Sequence, residues 1–235
     1  MVPGPATGHR QTPLPFSESE PSPVISDTII LDIDTQWDLV MPEGAWPAPG
    51  AFGLIPNFER VARYARTYDV RIVATTQLLN PADPRFSGNG GETPPHCLAG
   101  TPGAQKISAT RPAQPVLVTS QSRTASELKS LLGSSREIIV ETSGPDLMSN
   151  PGAAEVLSGI RGAIVFGVGG EEAVLLAVRS LRGKGITVDV VRNAVALRTA
   201  EPEALERWQE EIQGLGARLI RDLDVMTRFT TARHR

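Results

Sequence analysis

The sequence predicts an α/β fold of three layers, α/β/α, around a mostly parallel six-stranded, Rossmann-like sheet. Three observations predict it. Short apolar runs rich in β-branched residues recur along the chain, and such runs read as strands buried on both faces of a parallel sheet. Between them lie stretches with apolar residues at helical spacing, the pattern of helices that cover a sheet. The stretch 162–180, GAIVFGVGGEEAVLLAVRS, joins one such strand to one such helix through Gly167, Gly169 and Gly170. A glycine turn of this kind gathers backbone N–H groups around a small concavity, where α/β proteins put their chemistry.

The elements follow in order. Residues 1–26 are rich in Pro, Ser and Gly and are expected to form a disordered N-terminal tail. Residues 27–34, DTIILDID, make the first strand and lead into a polar cluster of Asp34, Gln36 and Asp38. Carboxylates at the C-terminal end of a parallel strand lie on the functional edge of the sheet. A Pro/Gly connector at 47–53 precedes a helix at 54–68, where Ile55, Phe58, Val61, Ala62, Ala65 and Tyr68 share one face. Arg60, Arg63 and Arg66 fall on its solvated side. A strand at 70–76 completes a β-α-β unit, which crosses over right-handed. Residues 77–107 form a long Pro/Gly-rich loop, of a length that is often functional.

In the segment 108–136, residues 116–119 read as a short strand, and 124–132 as a helix opened by a Thr124–Glu127 capping box. The segment is lid, interface or surface elaboration. Strands follow at 137–141 and 186–191, and a short helix at 153–157. The helix at 201–215 sets Ala204, Leu205, Trp208, Ile212 and Leu215 on its core face, with Glu201, Pro202 and Glu203 suited to its start. A last short strand spans 217–220. One domain, 27–222, is expected, followed by a C-terminal tail at 223–235.

Composition bounds the function. A chain of 235 residues, 40% hydrophobic, can bury a substantial core as one domain. The net charge of -3 and the lack of a basic stretch speak against nucleic acid as a partner. No apolar run is long enough to span a bilayer, and the N-terminus lacks a secretory h-region. A single cysteine excludes an intrachain disulfide and suits the cytoplasm, the expected location.

Several segments together carry a resemblance. Residues 167–174, GVGGEEAV, resemble the turn G-V-A-T-D-x-C-V of the isochorismatase-like superfamily of cysteine hydrolases, which includes nicotinamidases, related amidohydrolases and isochorismatases. Residues 31–39, LDIDTQWDL, resemble its first motif, L-x-x-I-D-M-Q-N-D-F. Residues 76–86, TQLLNPADPRF, and 94–104, PPHCLAGTPGA, are similar to two nicotinamidase segments, and residues 139–151 to I-x-K-x-x-x-D-x-F-x-x-T/N-P.

The resemblance implies roles, and this sequence departs from several. Asp34 falls on the proton-transferring aspartate. The nucleophilic cysteine position holds Ala173 and the catalytic lysine position Thr142. The metal-binding Asp and first His positions hold Leu78 and Asn80, leaving only His96, so no metal and no other cofactor is expected. Cys97, beside His96, falls on a cysteine that is not the nucleophile. The family turn also implies a cis peptide at Val168–Gly169 and an oxyanion hole from the N–H groups of Gly169 and Ala173. Gln77, Gly169, Ala173, Thr142, Trp37 and Glu172 make up the expected substrate-binding set around catalytic Asp34. A buried aspartate without a neighbouring Lys⁺ is expected to hold its proton and to donate it. A homo-oligomer, dimer or higher, is expected from relatives.

Two classes of function stay open. In one, the chain is an enzyme acting without a thiol, with Asp34 as general acid/base in hydrolysis, elimination or rearrangement of a small polar metabolite. In the other, it is a pseudoenzyme that binds a small molecule or a protein partner. Retention of Asp34, Gln36 and the glycine turn favours the first; loss of the Cys, the Lys and two metal ligands favours the second.

Overall fold

A computed structural model describes residues 27–233 apart from 122 and 134. The tail expected at 1–26 lies outside the described residues. The elements are β1 (Thr28–Ile33), α1 (Trp37–Val40), α2 (Ile55–Thr67), β2 (Arg71–Gln77), β3 (Val116–Val118), α3 (Ala125–Leu132), β4 (Glu137–Thr142), α4 (Ala153–Val156), β5 (Gly162–Val168), α5 (Leu175–Gly183), β6 (Thr187–Ala196), α6 (Pro202–Gly214), β7 (Arg218–Ile220) and α7 (Asp222–Arg233).

The sheet has seven strands in the order β3-β4-β2-β1-β5-β6-β7, and every pairing is parallel. The seventh strand, one more than the six-stranded sheet expected, is the three-residue β3, where the short strand was read at 116–119. It pairs with β4 through Val116–Val118 and makes the sheet's edge. Helix α3, behind it, opens with the Thr124–Glu127 capping box, which satisfies two of the N–H groups a helix start leaves unpaired.

Strand alternation divides the core into two faces. Ile29, Leu31, Ile33, Val73, Ile138 and Val140 face the side covered by α3 to α6. Ile30, Ile72, Ile164, Phe166 and Val191 face α2, α7 and the loop after β2. The burial of β5 is complete from Gly162 to Val168, as a central strand with helices on both sides requires.

The chain beyond residue 222, expected as a tail, is a helix that belongs to the domain. Val225 and Phe229 of α7 are buried, and Phe229 lies against Tyr68, with ring centroids 5.6 Å apart. Asp222 anchors its start: Arg60 of α2 ion-pairs with it, and Asn193 of β6 donates to its carboxylate while accepting from its N–H. Among the described residues no helix is long and apolar enough to cross a membrane.

The strand order fixes where a ligand can sit. From β1 the sheet extends through β2 and β4 to β3 on one side, and through β5 and β6 to β7 on the other. The direction reverses between β1 and β5, and the crevice outside their C-terminal ends is the ligand position of open α/β sheets. Asp34 follows β1 and the Gly169–Ala173 turn follows β5.

Candidate active site

The end of β1 builds the site around one carboxyl. Asp34 leaves the strand with φ +50, a left-handed conformation that Asp tolerates better than most residues. Its N–H donates to the Thr75 hydroxyl (3.0 Å), and the same hydroxyl donates to Asp34 Oδ1. Gln77 Nε2 donates to Asp34 Oδ2 at 2.6 Å. Gln77 is held in turn by Gln36, whose carboxamide accepts from Gln77 N–H (2.9 Å) and donates to Gln77 O (2.9 Å) and Ala104 O (2.8 Å). Gln36 therefore staples β1, β2 and the following loop together, and Gln77 alone of the pair reaches the acid.

Asp34 is 1% exposed. Burial raises its pKa above the usual carboxylate range; the hydrogen bonds from Thr75 and Gln77 pull against that rise without cancelling it. The expectation of an aspartate with no lysine nearby is overturned. Lys106 lies close enough to favour the charged form, while Asp32 opposes it. The sequence pattern pointed to position 142 for a lysine; the cation comes instead from the loop before β3, where periodicity carries no signal.

Of the other two acids in this cluster, Asp32 ion-pairs with Lys106. Asp38 clamps loops, its carboxylate accepting from Ala45 N–H (3.1 Å) and Cys97 N–H (2.7 Å). Gly103 packs against that carboxylate so closely that a Cβ there would lie 2.2 Å from Oδ2.

The turn after β5 departs from two expectations. The Val168–Gly169 peptide is trans, as are all the described peptide bonds. The chain reverses through the left-handed φ of +77 at Gly169 rather than through a cis bond. With that geometry the β5–β6 ladder runs on, and Gly169 N–H donates to Ala196 O at 3.0 Å, so it is not free for an oxyanion. One π turn follows, with Val174 N–H donating to Gly169 O at 3.1 Å. Ala173, buried in that turn, presents a methyl group. Trp208 Nε1 fixes the turn from behind by donating to Gly170 O at 2.8 Å.

Near the turn the charged side chains come from loops. Glu171 accepts from the N–H groups of Arg198 and Thr199, so it ties the turn to the segment after β6. Glu172 is exposed and acts on the charges of both Arg85 and Arg198. Arg198 lies over the Trp46 ring, 3.8 Å from its centroid, and Nη1 donates to Trp46 O at 2.8 Å. Burial lowers its pKa, while Cys97, Asp34, Glu172 and Glu171 each oppose that shift. Arg85 is gripped by Asp83 through two nitrogens (2.9 and 2.7 Å) and donates to Ser143 O (2.7 Å), tying the long loop to the end of β4. Trp37, expected at the site, is 40% exposed on α1; Trp46 is the tryptophan that packs against Arg198. Thr142 ends β4 opposite Gln77, fully enclosed, and its hydroxyl has no hydrogen-bond partner in the structure.

The residues aligned with a metal site do not fit a metal. Leu78 has no donor atom, and Asn80 Oδ1 accepts from Ala82 N–H at 2.8 Å within its own turn. His96 Nδ1 donates to Pro94 O (2.8 Å), and its ring packs between Trp46 and Phe86 at 4.5 and 5.5 Å. Burial holds its pKa below the usual histidine value. Among the described residues no group of three or more His, Cys, Asp or Glu is placed to hold a metal ion. Cys97, the only cysteine, is buried, and burial together with Asp34 and Asp38 pushes its thiol well up, away from the thiolate.

The sequence signals for Lys106, Arg198 and Trp46 were weak because all three stand in loops. The one cue was the lysine of 97–107, the only charged residue in that stretch.

The comparisons with known proteins bear on the fold and the family. No curated protein matches the chain in sequence. In fold, it is similar to the pyrazinamidase of Pyrococcus horikoshii in complex with zinc, at 23% identity, TM-score 0.68, covering 83% of this chain and 99% of that one. It is similar to a cysteine hydrolase from Pseudomonas syringae pv. phaseolicola, at 15% identity, TM-score 0.69, covering 90% and 99%. It is similar also to PnC1 from L. infantum in complex with nicotinate, at 19% identity, TM-score 0.65, covering 85% and 94%. Residues 28–210 match the Isochorismatase domain, so the chain belongs to the isochorismatase family.

Proposed function

We propose that the protein is a thiol-independent enzyme of this family, in which Asp34 is the general acid/base acting on a small polar metabolite that carries an anionic group. The observation that carries the reading is the setting of Asp34: a sealed carboxyl at the sheet's switch point, held only by neutral donors and with its pKa raised. Each carboxyl oxygen uses one lone pair on Thr75 or Gln77 and keeps another for a proton. A carboxyl whose pKa is raised by burial is a better proton donor to a leaving or bridging oxygen than an ordinary carboxylate, and can then take a proton back from water.

The neighbouring positions support a reaction without covalent attack. Ala173 offers a methyl group where the resemblance implies a nucleophilic sulfur, and Thr142 has no charge where it implies a lysine. Arg198, stacked on Trp46, forms no ion pair among the described residues. A partly desolvated guanidinium with no carboxylate in direct contact, Glu171 and Glu172 acting on it only from a distance, suits a substrate carboxylate.

The test is turnover of a panel of vinyl ethers, cyclic amides and nicotinamide by the wild type and Asp34→Asn, with binding measured in parallel. Turnover that disappears in the variant while binding persists is the expected result. No turnover in either protein, with binding indifferent to the substitution, leaves the binding-only reading. The near-complete enclosure of Asp34 is the observation that favours that second reading.

A further inference from the structure

Lys106 and Asp32 form an ion pair inside the core. Their side chains are 2% and 1% exposed, and Nζ stands 2.9 Å from Asp32 Oδ1. Each partner is fully engaged. Nζ also donates to Thr75 O (3.1 Å) and lies 3.4 Å from Asp32 O, while Thr35 Oγ1 donates to the Asp32 carboxylate (2.8 and 3.0 Å). Thr35 Oγ1 in turn shares a hydrogen bond of 2.6 Å with Thr110 Oγ1. Taking two charges out of water costs several kcal/mol per ion, and a well-packed apolar pair is often at least as stable. The neighbours Ile30 and Ile107 show that apolar side chains pack in this layer. Stability therefore does not explain why the pair is ionic.

Its location gives a reason. The ammonium binds the main chain of Asp32, two residues before Asp34, and of Thr75, whose hydroxyl holds both the amide and the carboxyl of Asp34. The charged and titratable groups facing Asp34 are few. Asp32 comes from its own strand, Lys106 and Cys97 from the loop after β2, and Arg198 from the loop after β6. Strand β4 ends on the uncharged Thr142, and the acids of the turn after β5 lie elsewhere: Glu171 accepts from the N–H groups of Arg198 and Thr199, and Glu172 is exposed.

We propose that Lys106, paired with Asp32, is a positioning residue that sets the protonation of the Asp34 carboxyl from the side of the sheet opposite Thr142. The proposal rests on Asp34 being the proton-transfer group of the reaction. Lys106 pulls the proton off Asp34 and Asp32 works against it, with the lysine the larger of the two influences. The pair thereby limits how far burial raises the acid, so that Asp34 can both release a proton and regain it.

The experiment is a ¹³C NMR titration of aspartate side chains in the full chain, with the Asp34 signal assigned as the one missing from Asp34→Asn. Lys106→Met is expected to shift the Asp34 midpoint upward and Asp32→Asn to shift it downward. The double variant is expected to shift it upward by less than Lys106→Met does. A role confined to holding the fold would not move the midpoint in opposite directions for the two partners. Should Lys106→Met fail to fold, for want of a partner for Asp32, the double variant carries the test alone. An Asp34 midpoint that stays put in every folded variant overturns the proposal. The titration needs no substrate, so a protein that shows these shifts but turns nothing over would sink the proposed reaction and leave this inference standing.

Discussion

Asp32 and Asp34 lie two residues apart on the same strand end, and both are sealed from solvent. Asp32 faces an ammonium at 2.9 Å and a threonine hydroxyl that bonds both of its oxygens. Asp34 meets only a hydroxyl and a carboxamide, with the nearest lysine already engaged by its neighbour. The difference teaches that burial alone does not make a working acid. A buried carboxylate bonded to a cation has its oxygens taken up by an ion pair, whereas one bonded to neutral donors keeps a lone pair open on each oxygen. Asp222, buried against Arg60 and Asn193 at the start of α7, is a second example of the ion-paired kind.

The largest effect that would sharpen this contrast is on turnover. Asp34→Asn is expected to lower kcat/KM by about 10²–10⁴, the usual contribution of a positioned acid or base. Asp32→Asn, assayed at its own optimum pH, is expected to stay within roughly tenfold of the wild type. Equal losses in the two variants would erase the distinction between them.

Next in size is recognition by Arg198. Arg198→Ala is expected to raise KM for compounds bearing a carboxylate by about 10–100-fold, the loss of one charge-assisted hydrogen bond, and to leave neutral compounds unaffected. Steady-state kinetics on matched acid and amide pairs measures it. A uniform loss across both would mean that Arg198 only packs on Trp46.

Stability against pH is a third discriminator. Asp34 has a pKa raised by burial, so between the unfolded and folded values the native state binds more protons than the unfolded chain. Stability is therefore lost as pH rises through that window. Asp34→Asn removes the penalty, and Asn tolerates the left-handed φ of +50. The Gln77 carboxamide can turn to meet the new amide. Thermal unfolding of the variant is expected to gain on the wild type above the Asp34 midpoint and to lose that advantage in acid. The same profile in both proteins would mean that Asp34 is not shifted. The smallest effect concerns Thr142, whose enclosed hydroxyl is unpartnered: Thr142→Val is expected to change stability by about 1 kcal/mol or less, in the stabilising direction, by denaturant unfolding.

What the sequence disclosed follows from where its periodicity is strong. The runs at β1, β4 and β5 and the one-sided faces of α2 and α6 are dictated by burial, and burial writes itself into a chain at fixed spacing. The Thr124–Glu127 cap is local and was legible for that reason. Edge strand β3 is three residues long and half covered, which blurs its pattern. Helix α7 packs through Val225 and Phe229, one turn apart, too sparse a stripe to separate it from a tail. At the site, Asp34 and Gln77 stand at strand ends and could be placed from sequence. Lys106, Trp46 and Arg198 arrive on loops whose paths only tertiary packing decides. The turn at Gly169 showed its glycines in sequence but not its peptide geometry, because a left-handed glycine and a cis bond can both reverse a chain.

The central claim is that chemistry here runs through a carboxyl and needs no sulfur. Because Cys97 is the chain's only cysteine, one paired assay tests it: kcat/KM of Cys97→Ala and Asp34→Asn side by side on the best compound of the panel. Turnover kept in Cys97→Ala and lost in Asp34→Asn is the outcome this account requires. Turnover lost in a folded Cys97→Ala, with Asp34→Asn still active, would contradict it.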